Sequence, residues 1–219
     1  MLILLPPSEG KNQAEGSDKF SLTELSFAGE LSSLRAQAIR AYDPALLSAL
    51  AAPAISIYSG VLYQALDWQS LGASAKTRGA NELLIISALY GVLRPDDSIV
   101  DYKAKISTSF WKKSLTQLLD PLEHEVIVDA RSSTYSAVWT PDPAITVAVR
   151  VFQEKNRKRS VITHMSKKYR GELTRLLLKK KRARSPHDVF AIAQESYRCE
   201  LTPPAAGKSW YLDLIIPVE

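Results

Sequence analysis

Apolar positions along the chain alternate between short unbroken runs and helical spacings. LILL (2–5) is a run with no polar break, which predicts a strand buried on both faces; Pro6 and Pro7 end it, because proline cannot continue a central ladder. Residues 11–27 are polar and predict a surface loop. ELSSLRAQAIRAY (30–42) places Leu31, Leu34, Ala38 and Tyr42 at helical spacing. A second helix, PALLSALA, follows Asp43 as cap with Pro44 in its first turn. ISIYSGVLYQAL (55–66) reads as a strand or turn opening into a short helix. ELLIISALY (82–90) and EVIVDA (125–130) are two further buried strands, the second leading into RSSTYSAVW, which turns helical. Between them SFWKKSLTQLL (109–119) is an amphipathic helix stopped by Asp120-Pro121.

Farther on, AITVAVRVF (144–152) and RSVITHM (159–165) predict a hairpin around the charged turn QEKNRK. SKKYRGELTRLLLKKKRA (166–183) predicts a long helix with Tyr169, Leu173, Leu176 and Leu177 on its apolar side. SPHDVFAIAQES (185–196) opens on Ser185 and Pro186, a helix start, and SWYLDLIIPV closes the chain as a strand. Apolar strands interleaved with helices predict an α/β fold: one domain over residues 1–219, a mixed sheet flanked by helices on both faces.

Composition narrows the class. At 219 residues, 46% hydrophobic and 23% charged, the chain can bury one large core. No apolar run approaches the ~20 residues of a membrane-spanning helix. The start MLILLPPSEGK has no basic region before its apolar residues, so no signal peptide is expected. With Cys199 as the single cysteine, a disulfide framework and a thiolate-rich metal site within one chain are excluded, and a reducing, cytoplasmic location is expected. His124, His164 and His187 lack metal-ligand spacing, so neither a metal nor another cofactor is expected. The net charge of +5 is unevenly placed: residues 151–190 hold 13 Lys and Arg against three acids, a balance of +10, and the remainder carries −5. Such an asymmetry fits a polyanionic partner; for the charge run taken alone a solvated basic helix is the plainer account. Lys167, Lys168, Arg170, Arg175, Lys179, Lys180, Lys181 and Arg182 are the candidate nucleic-acid contacts, gathered on the open side of the helix.

Candidate chemistry sits where three strands end. LILL runs into Ser8, Glu9, Gly10 and Lys11; LLIIS runs into Tyr90, Gly91 and Arg94-Pro95-Asp96-Asp97; VIVD runs into Asp129, Arg131, Ser132 and Tyr135. Ligands of open α/β sheets bind beyond the carboxyl ends of the strands. If these strands are parallel neighbours, Glu9, Asp97 and Asp129 are the candidate acids or bases. Ser8, Lys11, Tyr90, Gly91, Arg94, Tyr102, Arg131 and Ser132 are then candidate ligand contacts, and Tyr58, Ser59 and Gly60 of YSGVLYQAL (58–66) are counted with them. A salt bridge from Arg94 to Asp96 or Asp97 is the plainer account of that cluster. PPSEGK lacks the glycine spacing of a phosphate loop, and no glycine elbow surrounds Ser132.

The same segments carry a family resemblance. Residues 1–11, YSGVLYQAL (58–66), SALYGVLRPDDSIVDYKAKI (87–106), Phe110-Trp111, VIVDARSSTY (126–135) and SKKYRG (166–171) follow in the order found in the YaaA peroxide-stress family. The resemblance implies a cytosolic bacterial protein with a mixed α/β fold that limits iron-dependent oxidative damage to DNA. It also implies DNA binding through a positively charged cleft with a helix-hairpin-helix. The nearest stretch here, PALLSALAAPAISIYSG, lacks the glycine-bearing hairpin, which moves any DNA contact to the basic segment 155–184. The alternative is an enzyme acting on a nucleoside, nucleotide or damaged base, N-glycosidase-like, in a pocket at the strand ends.

Overall fold

All four side chains of Leu2–Leu5 (β1) are buried, so this strand must be covered on both faces, and the rest of the chain is arranged to do it. In the computed structural model, which describes residues 1–15, 18–156, 158–162, 165–205 and 207–217, β1 lies between two parallel neighbours. On one side is β3 (Leu83–Ser87), with Leu4 opposite Leu84; on the other is β6 (Ile127–Asp129), with Ile3 opposite Val128. Of the strands between these in sequence, β2 (Ala52–Pro53) and β5 (Ser98–Ile99) form a separate small pair, and β4 (Gly91–Leu93) folds back antiparallel onto β3. Beyond β6 come β7 (Thr146–Lys155), β8 (Lys158–Val161), β9 (Arg198–Thr202) and β10 (Trp210–Pro217). Among the described residues eight strands make one mixed sheet in the order β4-β3-β1-β6-β7-β10-β9, with β8 beside β7.

Alternation along β1 sends Ile3 and Leu5 into one core and Leu2 and Leu4 into another. The first is closed by α3 (Val61–Leu66), α7 (Ser166–Lys179) and α8 (Pro186–Gln194), through Leu62, Leu66, Leu173, Leu177 and Val189. The second is closed by α1 (Ala28–Tyr42) and α5 (Thr108–Leu119), through Leu31, Trp111, Leu115 and Leu119. The remaining helices are short or peripheral: α2 (Ala54–Ile57), α4 (Ala73–Glu82) and α6 (Ser133–Ser136). No helix among the described residues is long and apolar enough to cross a membrane.

Several boundaries differ from the sequence reading. PALLSALA is a single 3-10 turn over Pro44–Ser48 under the expected Asp43 cap, and 55–66 is two helices broken at Tyr58–Gly60. ELLIISALY is not one strand: Glu82 ends α4, and the chain leaves β3 at Ser87 to turn through Tyr90. Gly91 takes φ 75 there, a left-handed conformation, with Trp111 packed against its α-carbon side. Neither α4 nor β9 was expected, because ASAKTRGANE and RCELT carry little apolar periodicity.

Helices α3 and α7 approach until backbone meets backbone. A Cβ on Gly171 would lie 2.1 Å from the Leu62 carbonyl oxygen and 3.0 Å from the Ala65 Cβ. Gly171→Ala is therefore expected to lower unfolding stability by about 2 kcal/mol, read as a lower urea midpoint at unchanged slope.

Candidate functional site

Because β3, β1 and β6 run parallel, their carboxyl ends share one edge of the sheet, and a cleft of about 490 Å³ opens beyond β1 and β6. Its floor is the Pro6–Gly10 loop, held down by four contacts. Tyr63 Oη donates to the Pro6 carbonyl at 2.7 Å, Lys11 Nζ to the Ser8 carbonyl at 2.7 Å, and Ser59 N to the Gly10 carbonyl at 3.1 Å. Asn12 N donates to the Ile57 carbonyl at 2.8 Å. Gly60 is needed for this fit, since a Cβ there would come within 2.8 Å of the Ser8 Cβ. The loop is thus a rigid shelf, and its exposed Glu9 carboxylate stands in the cleft.

Behind the shelf lies a buried chain of hydroxyls. Tyr102 Oη is 2.8 Å from Ser87 Oγ and 3.0 Å from Tyr58 Oη. The Lys11 ammonium sits over the Tyr102 ring, 4.3 Å from its centroid, and 5.6 Å from that of Tyr58. Burial lowers the Lys11 pKa, with Asp101 and Glu9 opposing the shift. Burial pushes Tyr102 up to about 12 and Tyr58, Tyr63 and Tyr90 well above the usual tyrosine value.

The second wall grows from the end of β6. Asp129 holds Arg131 bidentately, Oδ1 to Nε and Oδ2 to Nη2, both at 2.8 Å. Arg131 Nη2 also donates to the Trp139 carbonyl at 3.0 Å. This pair fixes the turn into α6, whose Ser132, Thr134 and Tyr135 line the cleft. Burial and the nearby Glu9 charge raise the Tyr135 pKa, keeping its hydroxyl protonated. The third wall is the first turn of α7. Arg170 donates to the carbonyls of Arg131 (2.9 Å), Ala130 (3.3 Å) and Val149 (3.1 Å), tying α7 to the end of β6 and to the body of β7. Ser166 and Lys167 complete the rim.

Of the expected residues, Ser8, Glu9, Gly60 and Ser132 line the cleft, and Lys11, Tyr58, Ser59 and Tyr102 support its floor. Asp129 and Arg131 sit behind it as a closed ion pair. Tyr90, Gly91, Arg94 and Asp97 do not reach the cleft. The reason is the reversal at β4, which carries the chain back toward the amino end of the sheet. Arg94 Nη1 there caps α4 on the Asn81 and Ala80 carbonyls at 2.7 and 3.2 Å. Asp97 accepts from Ser26 N and Oγ and from Arg94 N, all at 2.8 Å, and locks that turn. The expected Arg94–Asp97 link is therefore backbone to carboxylate. Tyr90 is fully buried, its hydroxyl donating to the Val100 carbonyl at 3.0 Å.

The basic helix does not turn its charges to one open side. Arg175 caps α3, donating to the carbonyls of Leu66 (3.0 Å) and Asp67 (2.6 Å), and Arg170 is a wall of the cleft. Lys168 pairs with Glu172, Lys180 with Glu195, and Arg182 with Glu82 and Glu125. Lys167, Lys179 and Lys181 are exposed and form no ion pair among the described residues. His164 lies outside the described residues. Sequence reasoning passed over Tyr63, Thr134 and Tyr135 as ligand contacts or supports. Tyr63 and Tyr135 stand in YSGVLYQAL and VIVDARSSTY, where their position after a strand or turn was the available signal.

The model of the family described as peroxide stress protein YaaA matches residues 21–202. The chain belongs to that family. A UPF0246 protein of Streptomyces coelicolor is 34% identical over 259 aligned positions, covering 99% of this chain and 98% of that protein. Those positions outnumber the 219 residues here, so the relative carries insertions. A UPF0246 protein of Corynebacterium glutamicum is 32% identical over 231 positions (89% and 92% of the two chains). An uncharacterized protein of Campylobacter jejuni is 31% identical over 210 positions (79% and 82%).

The tyrosines beneath the cleft of this YaaA-family chain make its stability sensitive to alkali. Their folded pKa values lie above the unfolded value, so the folded state holds more protons once the pH exceeds 10. Their contribution is complete below pH 10 and is lost as the pH climbs toward and past 12. The expected slope is about −1.4 kcal/mol per pH unit for each tyrosine. Urea unfolding at about pH 9 and about pH 11 measures it, and Tyr102→Phe should flatten the fall by one tyrosine's share.

Proposed function

We propose that this peroxide-stress family protein is an enzyme that hydrolyses the N-glycosidic bond of a nucleoside-type substrate bound in the cleft, and so removes damaged bases under oxidative stress. The observation that carries the reading is Glu9, set on a rigid shelf in a cleft of about 490 Å³ that Tyr135 also lines, its hydroxyl pKa raised by burial and by the Glu9 charge. That volume falls in the range of small-molecule sites. In the proposed reaction Glu9 orients a water and takes its proton as the oxygen attacks C1′ and the C1′–N bond breaks. The bonding pair leaves with the base, which Tyr135 supports by donating a hydrogen bond; the proton that Glu9 took from the water passes through solvent to the base nitrogen and restores the carboxylate. The products are the free base and the sugar.

Glu9→Gln should lower the rate of base release about 10²-fold or more from a panel of nucleosides and nucleotides, oxidised ones included, measured by chromatography. A panel from which the wild-type protein releases no free base sinks the reading.

A second reading, DNA protection by direct binding through a basic cleft, is favoured by the exposed Lys167, Lys179 and Lys181. Three free lysines support a slope of log affinity against log salt no steeper than about −3. Fluorescence titration of a DNA duplex at several salt concentrations tests this, and a much steeper slope would require a surface other than this helix. Cys199 contributes to neither reading: burial, with Glu200 adding to it, pushes its thiol up to about 11, so little thiolate is present to meet peroxide.

A further inference from the structure

We infer that the cleft has two poles and that its substrate carries a terminal phosphate, in the manner of a 5′-mononucleotide. This inference rests on the reading that the cleft takes a nucleoside-type molecule.

The Glu9 carboxylate acts on Tyr135 and Lys11, the two titratable groups whose pKa values respond to it. The other pole is positive. Arg170 is half-buried in the cleft wall, and among the described residues its hydrogen bonds go to uncharged carbonyls, at Ala130, Arg131 and Val149. The acid that acts on it, Asp129, is already closed bidentately on Arg131. The Arg170 charge is therefore fixed in place with no carboxylate hydrogen-bonded to it among the described residues, and its buried Nε finds no partner there. Lys167 adds a second positive charge on the rim one turn earlier in α7, and Ser132 and Thr134 bring hydroxyls from the facing wall.

A phosphate monoester carries between about 1.5 and 2 negative charges near neutral pH, which matches two cations where a neutral nucleoside leaves both unmatched. A guanidinium already oriented by the protein needs no rearrangement to receive that charge. With the phosphate at Lys167 and Arg170, the sugar spans the cleft and its C1′ faces Glu9. The cleft of about 490 Å³ is sized for one nucleotide.

Isothermal titration of the whole chain against a nucleoside, its 5′-monophosphate, ribose 5-phosphate and a short single-stranded oligonucleotide tests this. The monophosphate should bind about tenfold or more tightly than the nucleoside, and ribose 5-phosphate should compete with it. Arg170 also secures α7, so its removal risks the fold. Lys167→Ala and Ser132→Ala leave those carbonyl contacts intact, and Lys167→Ala should erase most of the tenfold preference with an unchanged thermal midpoint. Equal binding of nucleoside and monophosphate, or no effect of Lys167→Ala, overturns the phosphate pole while base release can still be observed. Binding of the oligonucleotide in preference to the monophosphate overturns it in favour of a polymer. No binding by any of the four overturns both the inference and the reading beneath it.

Discussion

The cleft of this molecule is placed by the parallel pairing of β1 between β3 and β6. Three strands without a polar side chain along most of their length cannot tolerate water on either face, so helices must cover both. Parallel pairing then forces the chain to leave all three strands at the same edge. Loops with exposed or half-buried polar groups can gather there without disturbing the core. The cleft follows from strand direction, and its contents follow from what each loop does next: the β1 loop lies flat, the β6 loop turns into α6, and the β3 loop reverses and leaves.

The cations of this chain are used in an unusual way. Arg35, fully buried in α1, donates to the Tyr90 and Val92 carbonyls at 3.0 and 2.7 Å; Arg94 caps α4, Arg175 caps α3, and Arg170 ties β6 and β7 to α7. Each guanidinium closes backbone acceptors, those of Arg94 and Arg175 at helix ends and those of Arg35 and Arg170 in or beside strands. A chain can therefore be rich in arginine without presenting a cationic surface.

This use explains what the sequence made legible and what it did not. Apolar runs located β1, β3 and β6, and the three polar strand ends correctly pointed to a shared edge. Ser8, Glu9 and Ser132 were within reach for that reason, and Gly60 through YSGVLYQAL. Arg94 and Asp97 were misplaced because a glycine in LYGVLRPDD fits a loop over the edge as well as an antiparallel return; the structure uses Gly91, at φ 75, for the return. Arg170 and Arg175 were read as surface charges because their partners are carbonyls on distant elements, which leave no trace in composition. The helix α4 was missed because Ala75 and Gly79, the small residues on its buried side, carry little hydrophobic signal.

The glycine contact between α3 and α7 bears on how a ligand gets in. Gly60 and Leu62 form one lip of the cleft and Arg170 the other, while Gly171 locks the backbones together immediately behind them. Jaws welded at the root do not swing. Any ligand of this cleft would meet a shape already set, with only side chains at the rim left to turn aside.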